Sequence, residues 1–403
     1  MRSVSTAMTA ALLLSTLPAA AHEDEHEHEN GKRPSVDLTW MSIANWHFKT
    51  GDLRMVMDGY ITRVPQNIFV RSTQFPADQF AFTSQPWPSN VTDVMKVKFA
   101  MQKEARLDFV LAGHSHFDHT YDTALWAALT GAQIIGGKST CLQAQSQGLP
   151  TSQCLEVSGS WVTGHGERLE LAKDVTLRVV RFNHSGNASN PFQHFGRELS
   201  APPVPDAATG GFRAGVAEDF PNGGGGRAFL FTIGKGRDRI SFFVNNSASA
   251  FDLAAPVTVD GVSFGSPLEN LAAAMRDAGL SSVDVWIGTG GTSVAQLVVP
   301  VIHPKVYIPN HWDGLFNPFW PGLPFRFNDP TLAAFLDAQG IQFMPQHQYF
   351  DGYHLDSRGV TPLVNHEIKQ RLGFSDVQPL AAPLTAAAAR VESAAMGSED
   401  CDL

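Results

Sequence analysis

The stretch Leu111-Ala-Gly-His-Ser-His-Phe-Asp-His-Thr120 decides how this chain is interpreted. Four of its ten residues carry side chains that bind metal ions well: His114, His116, Asp118 and His119. The run from Leu107 to Ala112 is mostly apolar, which predicts a buried strand that ends at Gly113. The ligand-rich segment therefore begins where a strand leaves the protein core.

The spacing of these four residues indicates a metal site. Residues two apart in an extended segment point the same way, so His114 and His116 can reach one cation together. If the chain then turns, Asp118 and His119 face a second position close by. Imidazole and carboxylate ligands suit zinc or a similar divalent metal. The alternative is a set of surface histidines in a polar loop, but 15 histidines in 403 residues make this pattern rare by accident.

Length and composition indicate a soluble globular protein. A chain of 403 residues allows one large domain or two ordinary ones. Its residues are 43% hydrophobic and 17% charged, and the formal net charge is -10. That acidic balance argues against nucleic-acid binding, because no basic excess is present to neutralise phosphates. Nothing in the sequence indicates an oligomeric state.

The first residues are typical of an export signal. Arg2 precedes a short apolar run from Ala7 to Leu17, and Pro18-Ala-Ala-Ala21 supplies small residues for cleavage. We therefore expect residues 1–21 to be a signal peptide and the mature protein to be periplasmic or secreted. The apolar run is too short to remain as a membrane span, and no later stretch is long and apolar enough.

Charged or Ala-rich segments flank the expected domain, which we place at residues 35–375. The run His22-Glu-Asp-Glu-His-Glu-His-Glu29 belongs to a leader, residues 22–34, that we expect to be disordered. Its histidines either bind metal weakly or are simply part of a solvated leader. Residues 376–403 form an Ala-rich tail that we expect to be peripheral.

Export places the cysteines in an oxidising compartment. Cys141 and Cys154 flank one polar connection and can close a short loop. We predict a disulfide between them, the alternative being two buried free thiols. Cys401 lies in the polar tail and is expected to stay unpaired.

Further polar residues follow other predicted strands. A hairpin is predicted from Val36 to Phe48 and from Leu53 to Ile61, and Asp58 interrupts its second, otherwise apolar strand. A buried carboxylate there needs a partner, for which a ligating imidazole is one candidate; the alternative is that Asp58 is a turn residue at the strand end. His184 follows a predicted strand pair over 169–182, and His311 follows a strand over 306–308. Strands alternate with predicted helices over 90–104, 120–129, 268–278, 293–302 and 330–338, which favours mixed sheets covered by helices.

Two loops are candidates for substrate contact. Residues 185–226 are rich in Pro, Gly and Asn, and an insertion of this length is typical of a lid, with His194 on it. An aromatic-rich loop follows His311 and suits either an apolar pocket mouth or ordinary core packing; its large side chains are Trp312, Leu315, Phe316, Phe319, Trp320, Phe325 and Phe327.

The segment from His114 to His119 resembles the HxHxDH signature of the metallo-β-lactamase superfamily, and the resemblance extends over residues 36–350. It is greatest for exported members related to lactonase-type and phospholipase-D-type hydrolases. It implies a single-domain αββα sandwich with one or two metals at one sheet edge. By position, the first metal would be bound by His114, His116 and His184. The second would be bound by Asp118, His119 and His311. Asp58 would orient a ligand from behind.

One position departs from the family pattern. Where most members have an aspartate that bridges both metals, this chain has Asn246 in Phe243-Val-Asn-Asn-Ser247. An amide oxygen is a weaker, neutral ligand, so we expect a weaker second metal, a single metal, or substitution by Asp252 or Asp313. The departure is also compatible with loss of catalysis.

The residues and the resemblance together predict a metal-dependent hydrolase. A bound metal lowers the pKa of water, and Asp118 would orient this nucleophile and take its proton. We expect a small, partly apolar ester or lactone as substrate and zinc as the metal, with manganese or iron as alternatives. A phosphodiester hydrolase and a non-catalytic metal-binding protein are the competing hypotheses.

Overall fold

The computed structural model describes residues 33–71, 81–83, 85–101, 106–184, 198–213, 220, 225–259 and 261–374. Its strands are β1 Ser35–Ser42, β2 Asn45–Thr50, β3 Leu53–Met57, β4 Phe69–Arg71, β5 Ala81–Thr83, β6 Phe109–Leu111, β7 Gln133–Gly136, β8 Cys154–Glu156, β9 Arg168–Ala172, β10 Val175–Arg181, β11 Arg227–Ile233, β12 Ile240–Asn245, β13 Thr258–Val259, β14 Val262–Ser263, β15 Val285–Gly288, β16 Val306–Pro309, β17 Gln342–Phe343, β18 Gly352–Asp356 and β19 Gly359–Leu363. Its α-helices are α1 Val91–Met101, α2 Phe117–Thr120, α3 Thr123–Thr130, α4 Lys138–Ser146, α5 Pro267–Ala278, α6 Gly291–Ile302, α7 Pro330–Ala338 and α8 His366–Leu372.

Two large mixed sheets form the framework. The first has the strand order β19-β18-β1-β2-β3-β6-β7-β8, and the second has the order β17-β16-β15-β12-β11-β10-β9. Each sheet contains an antiparallel meander that continues into parallel strands: β3 pairs parallel with β6, and β12 pairs parallel with β15. Such parallel pairs need crossover connections, and the helices supply them.

The two sheets pack face to face. Phe48 of the first sheet contacts Phe231 and Phe242 of the second, with ring centroids 5.9 and 5.4 Å apart. Helices α5, α6 and α7 contribute to a second apolar cluster on the other face of the second sheet, around Trp286. On the first sheet, α3 packs beside β6 and β7 and buries Trp126. The arrangement is an αββα sandwich, as expected.

Strand direction places all the predicted ligands at one edge. Strands β3 and β6 are parallel, so Asp58 and the segment that begins at Gly113 leave the first sheet on the same side. Strands β10, β12 and β16 likewise run in one direction, because β10 and β12 are each antiparallel to β11 and β16 is parallel to β15. Asn246 and His311 therefore follow strand ends that share an edge of the second sheet, as does His184.

Several predicted elements differ from the structure. The first arm of the predicted hairpin is two strands, β1 and β2, because Ile43 has φ 46° and turns the chain without Gly or Pro. The helix predicted over 120–129 is divided into α2 and α3. Helix α4 occupies part of what was interpreted as a polar connection, since its hydrophobic periodicity is weak. Strands β18 and β19, which extend the first sheet beyond β1, were not predicted.

Some predictions fall outside the described residues. The signal peptide, nearly all of the leader, the tail with Cys401, and His194 lie there, as do residues 185–197, 214–219 and 221–224 of the expected lid. Within the described part, no helix has the length and hydropathy needed to cross a membrane.

Candidate metal centre

The predicted ligands form two neighbouring triads. The first contains His114, His116 and His184, and the second contains Asp118, His119 and His311. In each triad the three candidate ligand atoms lie within 4.8 Å of one another. The ring centroids of His114 and His119 are 4.0 Å apart, so the two triads are adjacent.

The second triad is already close to coordination geometry. His311 Nε2 lies 2.9 Å from Asp118 Oδ2 and 3.2 Å from His119 Nε2, and His119 Nε2 lies 3.1 Å from Asp118 Oδ2. Ligand atoms about 2.0–2.2 Å from one zinc ion are separated by roughly 3.0–3.5 Å. The three atoms therefore suit one divalent cation.

Within the two triads, two buried side-chain atoms make no hydrogen bond to the described part of the chain. These are His114 Nε2, in the first triad, and Asp118 Oδ1, in the second. A buried polar atom is nearly always paired in a folded protein, so each indicates a bound partner. His114 lies beside His116 and His184, and the other oxygen of Asp118 lies beside His119 Nε2, so a divalent metal fits the chemistry of this donor set.

Asp58 contacts the second triad through His119, on the side of the ring away from Asp118. It is fully buried, and its Oδ2 accepts a hydrogen bond from His119 Nδ1 at 2.7 Å, while its Oδ1 accepts one from the Gly113 amide at 3.0 Å. The imidazole is thereby oriented with Nε2 towards Asp118. This is the geometry expected of a carboxylate that orients a metal ligand.

Burial and neighbouring charges shift the pKa values of Asp118, His119 and His114. Burial would raise the pKa of Asp118, but the neighbouring His119 and the hydrogen bonds from His119 and His311 hold it well below its usual range. Burial would lower the pKa of His119, but Asp118 and Asp58 raise it to about 9. Burial, together with His119, His184 and His116, lowers the pKa of His114. Asp118 is therefore a carboxylate and His114 a neutral imidazole at neutral pH.

Comparison with known proteins gives local matches. No family model matches the chain. A UPF0173 protein of Pyrococcus furiosus is 34% identical over 79 residues, which are 20% of this chain and 33% of that protein. A UPF0173 metal-dependent hydrolase of Pyrobaculum islandicum is 27% identical over 106 residues, 26% of this chain and 44% of that protein. The chain thus spans less than half the length of either curated relative.

Among solved structures, a metallo hydrolase of the archaeon Ignicoccus hospitalis covers 80% of this chain and 98% of its own, with 12% identity and a TM-score of 0.43. The order of the strands and the geometry of the site say more about the fold than this match does. Two facing sheets flanked by helices carry the HxHxDH segment, then His184 and His311, at one common edge. This chain has the metallo-β-lactamase fold.

Asn246 departs from the ligand role expected from the metallo-β-lactamase pattern. Its Oδ1 lies 3.1 Å from His114 Nδ1, and its Nδ2 donates to Asp58 Oδ2 at 2.9 Å. The amide oxygen of Asn246 thus contacts the candidate ligand His114, and its amide nitrogen contacts Asp58, which orients His119. The structure places Asn246 in an orienting position like that of Asp58, because its side chain packs against Gly113, where an added Cβ would lie 2.1–2.3 Å from it.

The carboxylates considered as substitutes are placed differently. Asp313 is buried beside Arg63, 3.9 Å away, and accepts a hydrogen bond from the Ile43 amide at 2.7 Å. It therefore holds the turn between β1 and β2. Asp252 is not among the residues of either triad.

Sequence reasoning missed the polar residues that hold the ligand loops. The Asn183 side chain exchanges two hydrogen bonds with the Ser249 backbone, which ties the loop of His184 to the segment after β12. Gln143 of α4 accepts from the Thr120 hydroxyl and donates to Ser115 O, so it holds the HxHxDH segment. Buried amides in polar stretches give little signal in a sequence.

A disulfide joins α4 to β8. It connects Cys141 and Cys154, whose Cα atoms are 5.5 Å apart. These are the two cysteines that the sequence analysis paired. The bridge holds the helix that carries Gln143, and through Gln143 it supports the ligand segment.

The aromatic loop serves mainly as core. Trp312 stacks on Trp40 at 5.2 Å, and Phe319 on Tyr349 at 5.0 Å, and Trp312 and Phe319 are both buried. Phe316 differs, because it is half-buried and stacks at 5.9 Å on Phe117, which directly follows His116. This part of the loop packs beside the HxHxDH segment.

Proposed function

We propose that the chain is a metal-dependent hydrolase. The observation that carries the proposal is the pair of adjacent triads, each with a buried atom, His114 Nε2 or Asp118 Oδ1, that makes no hydrogen bond. The printed name of the Pyrobaculum islandicum relative, a metal-dependent hydrolase, supports it.

Held by the two triads, a divalent metal would supply Lewis acidity, which would make water a better nucleophile at neutral pH. The protein groups do the remaining work. Asp118 stays ionised, and its Oδ2 is held by His311, while its Oδ1 is available to orient a water molecule and accept its proton. Asp58 holds His119 in the orientation that the second triad requires.

The substrate that we propose is an ester or lactone with an apolar part. Phe117 and Phe316 form an aromatic wall next to His116, and Tyr60 packs edge-on against Phe117 at 5.9 Å. Half-buried Leu315 and Trp87 pack against the same cluster. An apolar wall beside a polar reaction centre is typical of sites for small, partly apolar molecules.

A phosphodiester is the second candidate, and one observation favours it. Arg181 and Arg227 are both buried and share a single carboxylate, Glu198, at 3.6 and 2.7 Å. The Arg227 amide also donates to Gly113 O, immediately before His114. Two buried guanidinium groups at strand ends next to this segment would favour an anionic substrate.

We further propose that the protein is exported and uses zinc. The amino-terminal signal supports export, and the disulfide between Cys141 and Cys154 supports an oxidising compartment. Triads made of histidines with a single carboxylate suit zinc, and the same set also accommodates manganese or iron.

The test is turnover by the purified protein loaded with zinc, manganese or iron. We expect hydrolysis of esters or lactones, and a loss of about 10²–10⁴-fold in kcat for Asp118→Asn. Asp37→Asn is the matched control, because Asp37 also pairs with a histidine, His354, at 2.7 Å, but lies at the start of β1. Turnover of phosphodiesters alone would favour the second candidate. A metal-loaded protein inactive on all three classes would identify a non-catalytic metal binder.

A further inference from the structure

The amide of Asn246 lies between histidines of two different triads. Its Oδ1 is 3.1 Å from Nδ1 of His114, which belongs to the first triad. Its Nδ2 donates at 2.9 Å to Asp58 Oδ2, the oxygen that also accepts from His119 Nδ1 of the second triad. Asn246 is 1% exposed and Asp58 is fully buried, so these hydrogen bonds are shielded from water.

The orientation of the amide follows from its neighbours. Asp58 is a carboxylate and needs donors, so the amide nitrogen must face it and the amide oxygen must face His114. Nδ2 also lies 3.2 Å from His119 Nδ1, and both of these N–H groups converge on Asp58 Oδ2. The reversed amide would place its oxygen against the carboxylate.

We propose that Asn246 is a positioning residue that couples the two triads. The inference rests on the proposed metal site. By accepting from His114 Nδ1, Asn246 keeps the proton on that nitrogen and leaves Nε2 as the metal-facing lone pair. By donating to Asp58, it holds the carboxylate that orients His119. One side chain therefore orients a ligand in each triad: His114 directly, and His119 through Asp58.

This role explains why an amide replaces the carboxylate usual in the family. An aspartate at 246 can accept from His114, but it has no N–H for Asp58. It would place two carboxylates about 3 Å apart in a buried site, a distance at which both rarely stay ionised. An amide supplies one acceptor and one donor, and both are used. An amide at 246 therefore satisfies both neighbours, and the departure by itself does not indicate lost function.

Asn246→Leu tests the proposal, because leucine has a similar volume and cannot form hydrogen bonds. The metal-free protein is first studied by long-range proton–nitrogen NMR of its histidine rings. In the wild type we expect His114 to carry its proton on Nδ1, and in the variant we expect this preference to disappear. Titration with zinc should then show binding weakened about 10–100-fold at both positions.

Asn245→Leu is the matched control. Asn245 is equally buried, but its amide accepts from Trp286 Nε1 and donates to Ser247 O. It should lower stability and leave the His114 tautomer and zinc affinity unchanged. Wild-type tautomer and affinity in Asn246→Leu would overturn the proposal, as would an equal loss of affinity in both variants.

A second variant covers the case in which Asn246→Leu does not fold. Asn246→Asp keeps the acceptor for His114 but removes the donor to Asp58. We expect the His114 tautomer to be retained and the metal-free protein to melt at a lower temperature than the wild type. An unchanged melting temperature would contradict the role of the donor. Because none of these measurements needs turnover, a protein that binds zinc as described but hydrolyses nothing would refute the proposed function alone.

Discussion

Replacement of Asp58 by alanine should weaken metal binding although Asp58 belongs to neither triad. Its carboxylate accepts three hydrogen bonds, from the Gly113 amide at 3.0 Å, His119 Nδ1 at 2.7 Å and Asn246 Nδ2 at 2.9 Å. Each buried donor that loses its partner costs about 1–3 kcal/mol. Some of this is recovered if water enters the space, so we expect about 3–5 kcal/mol lower stability of the metal-free protein.

The effect on metal affinity follows from the loss of orientation. With no acceptor at Nδ1, the His119 ring can rotate and present either nitrogen to the second triad. Loss of such an orienting partner typically weakens metal binding about 10–100-fold, or about 1.4–2.7 kcal/mol. Zinc affinity measured by chelator competition, and the free energy of unfolding measured in urea, report the two effects separately.

Asp122→Ala is the control for this prediction. Asp122 is also a buried carboxylate with three hydrogen bonds, from the amides of Ile61 and Thr62 and from the Thr62 hydroxyl. We expect a similar loss of stability and an unchanged zinc affinity. If Asp58→Ala binds zinc as tightly as the wild type, or if both variants lose affinity equally, the orienting role of Asp58 is wrong.

Two further predictions concern stability. Burial, reinforced by two nearby cations, lowers the pKa of His47 to about 3, while an unfolded histidine has a pKa of about 6.5. The unfolded chain takes up this proton first, so the contribution of His47 is complete above pH 6.5 and declines as the pH falls towards 3. Between pH 7.5 and pH 5, the wild type should therefore lose roughly 2 kcal/mol more than His47→Gln in urea unfolding; parallel pH profiles would contradict this. Removal of the disulfide, by Cys141→Ala with Cys154→Ala, should lower the free energy of unfolding by about 2–3 kcal/mol, since the bridge closes a loop with a sequence separation of 13. A denaturation midpoint that the double substitution leaves unchanged would show that the bridge does not contribute.

Much of the framework was predictable from local patterns. The buried strand before Gly113, helix α7 with its Asp329 cap, and strand β16 before His311 all have clear hydrophobic periodicity and end signals. Other elements lacked such signals. The turn at Ile43 is stabilised by a hydrogen bond to Asp313, 270 residues away, so no local pattern predicts it. Helix α4 is polar, and its position depends on the disulfide and on Gln143.

The sequence by itself identified the candidate metal ligands, because imidazole and carboxylate chemistry and the two-residue spacing of His114 and His116 are local properties. Only the tertiary structure decided which residues form hydrogen bonds to those ligands and orient them. Asp58, Asn246 and His114 are far apart in the chain, and a hydrogen bond between them depends on how parallel strands of two sheets end at one edge. The sequence suggested Asn246 as a weak ligand. The packed structure uses its amide to orient ligands, since donor and acceptor geometry is determined by neighbours in space.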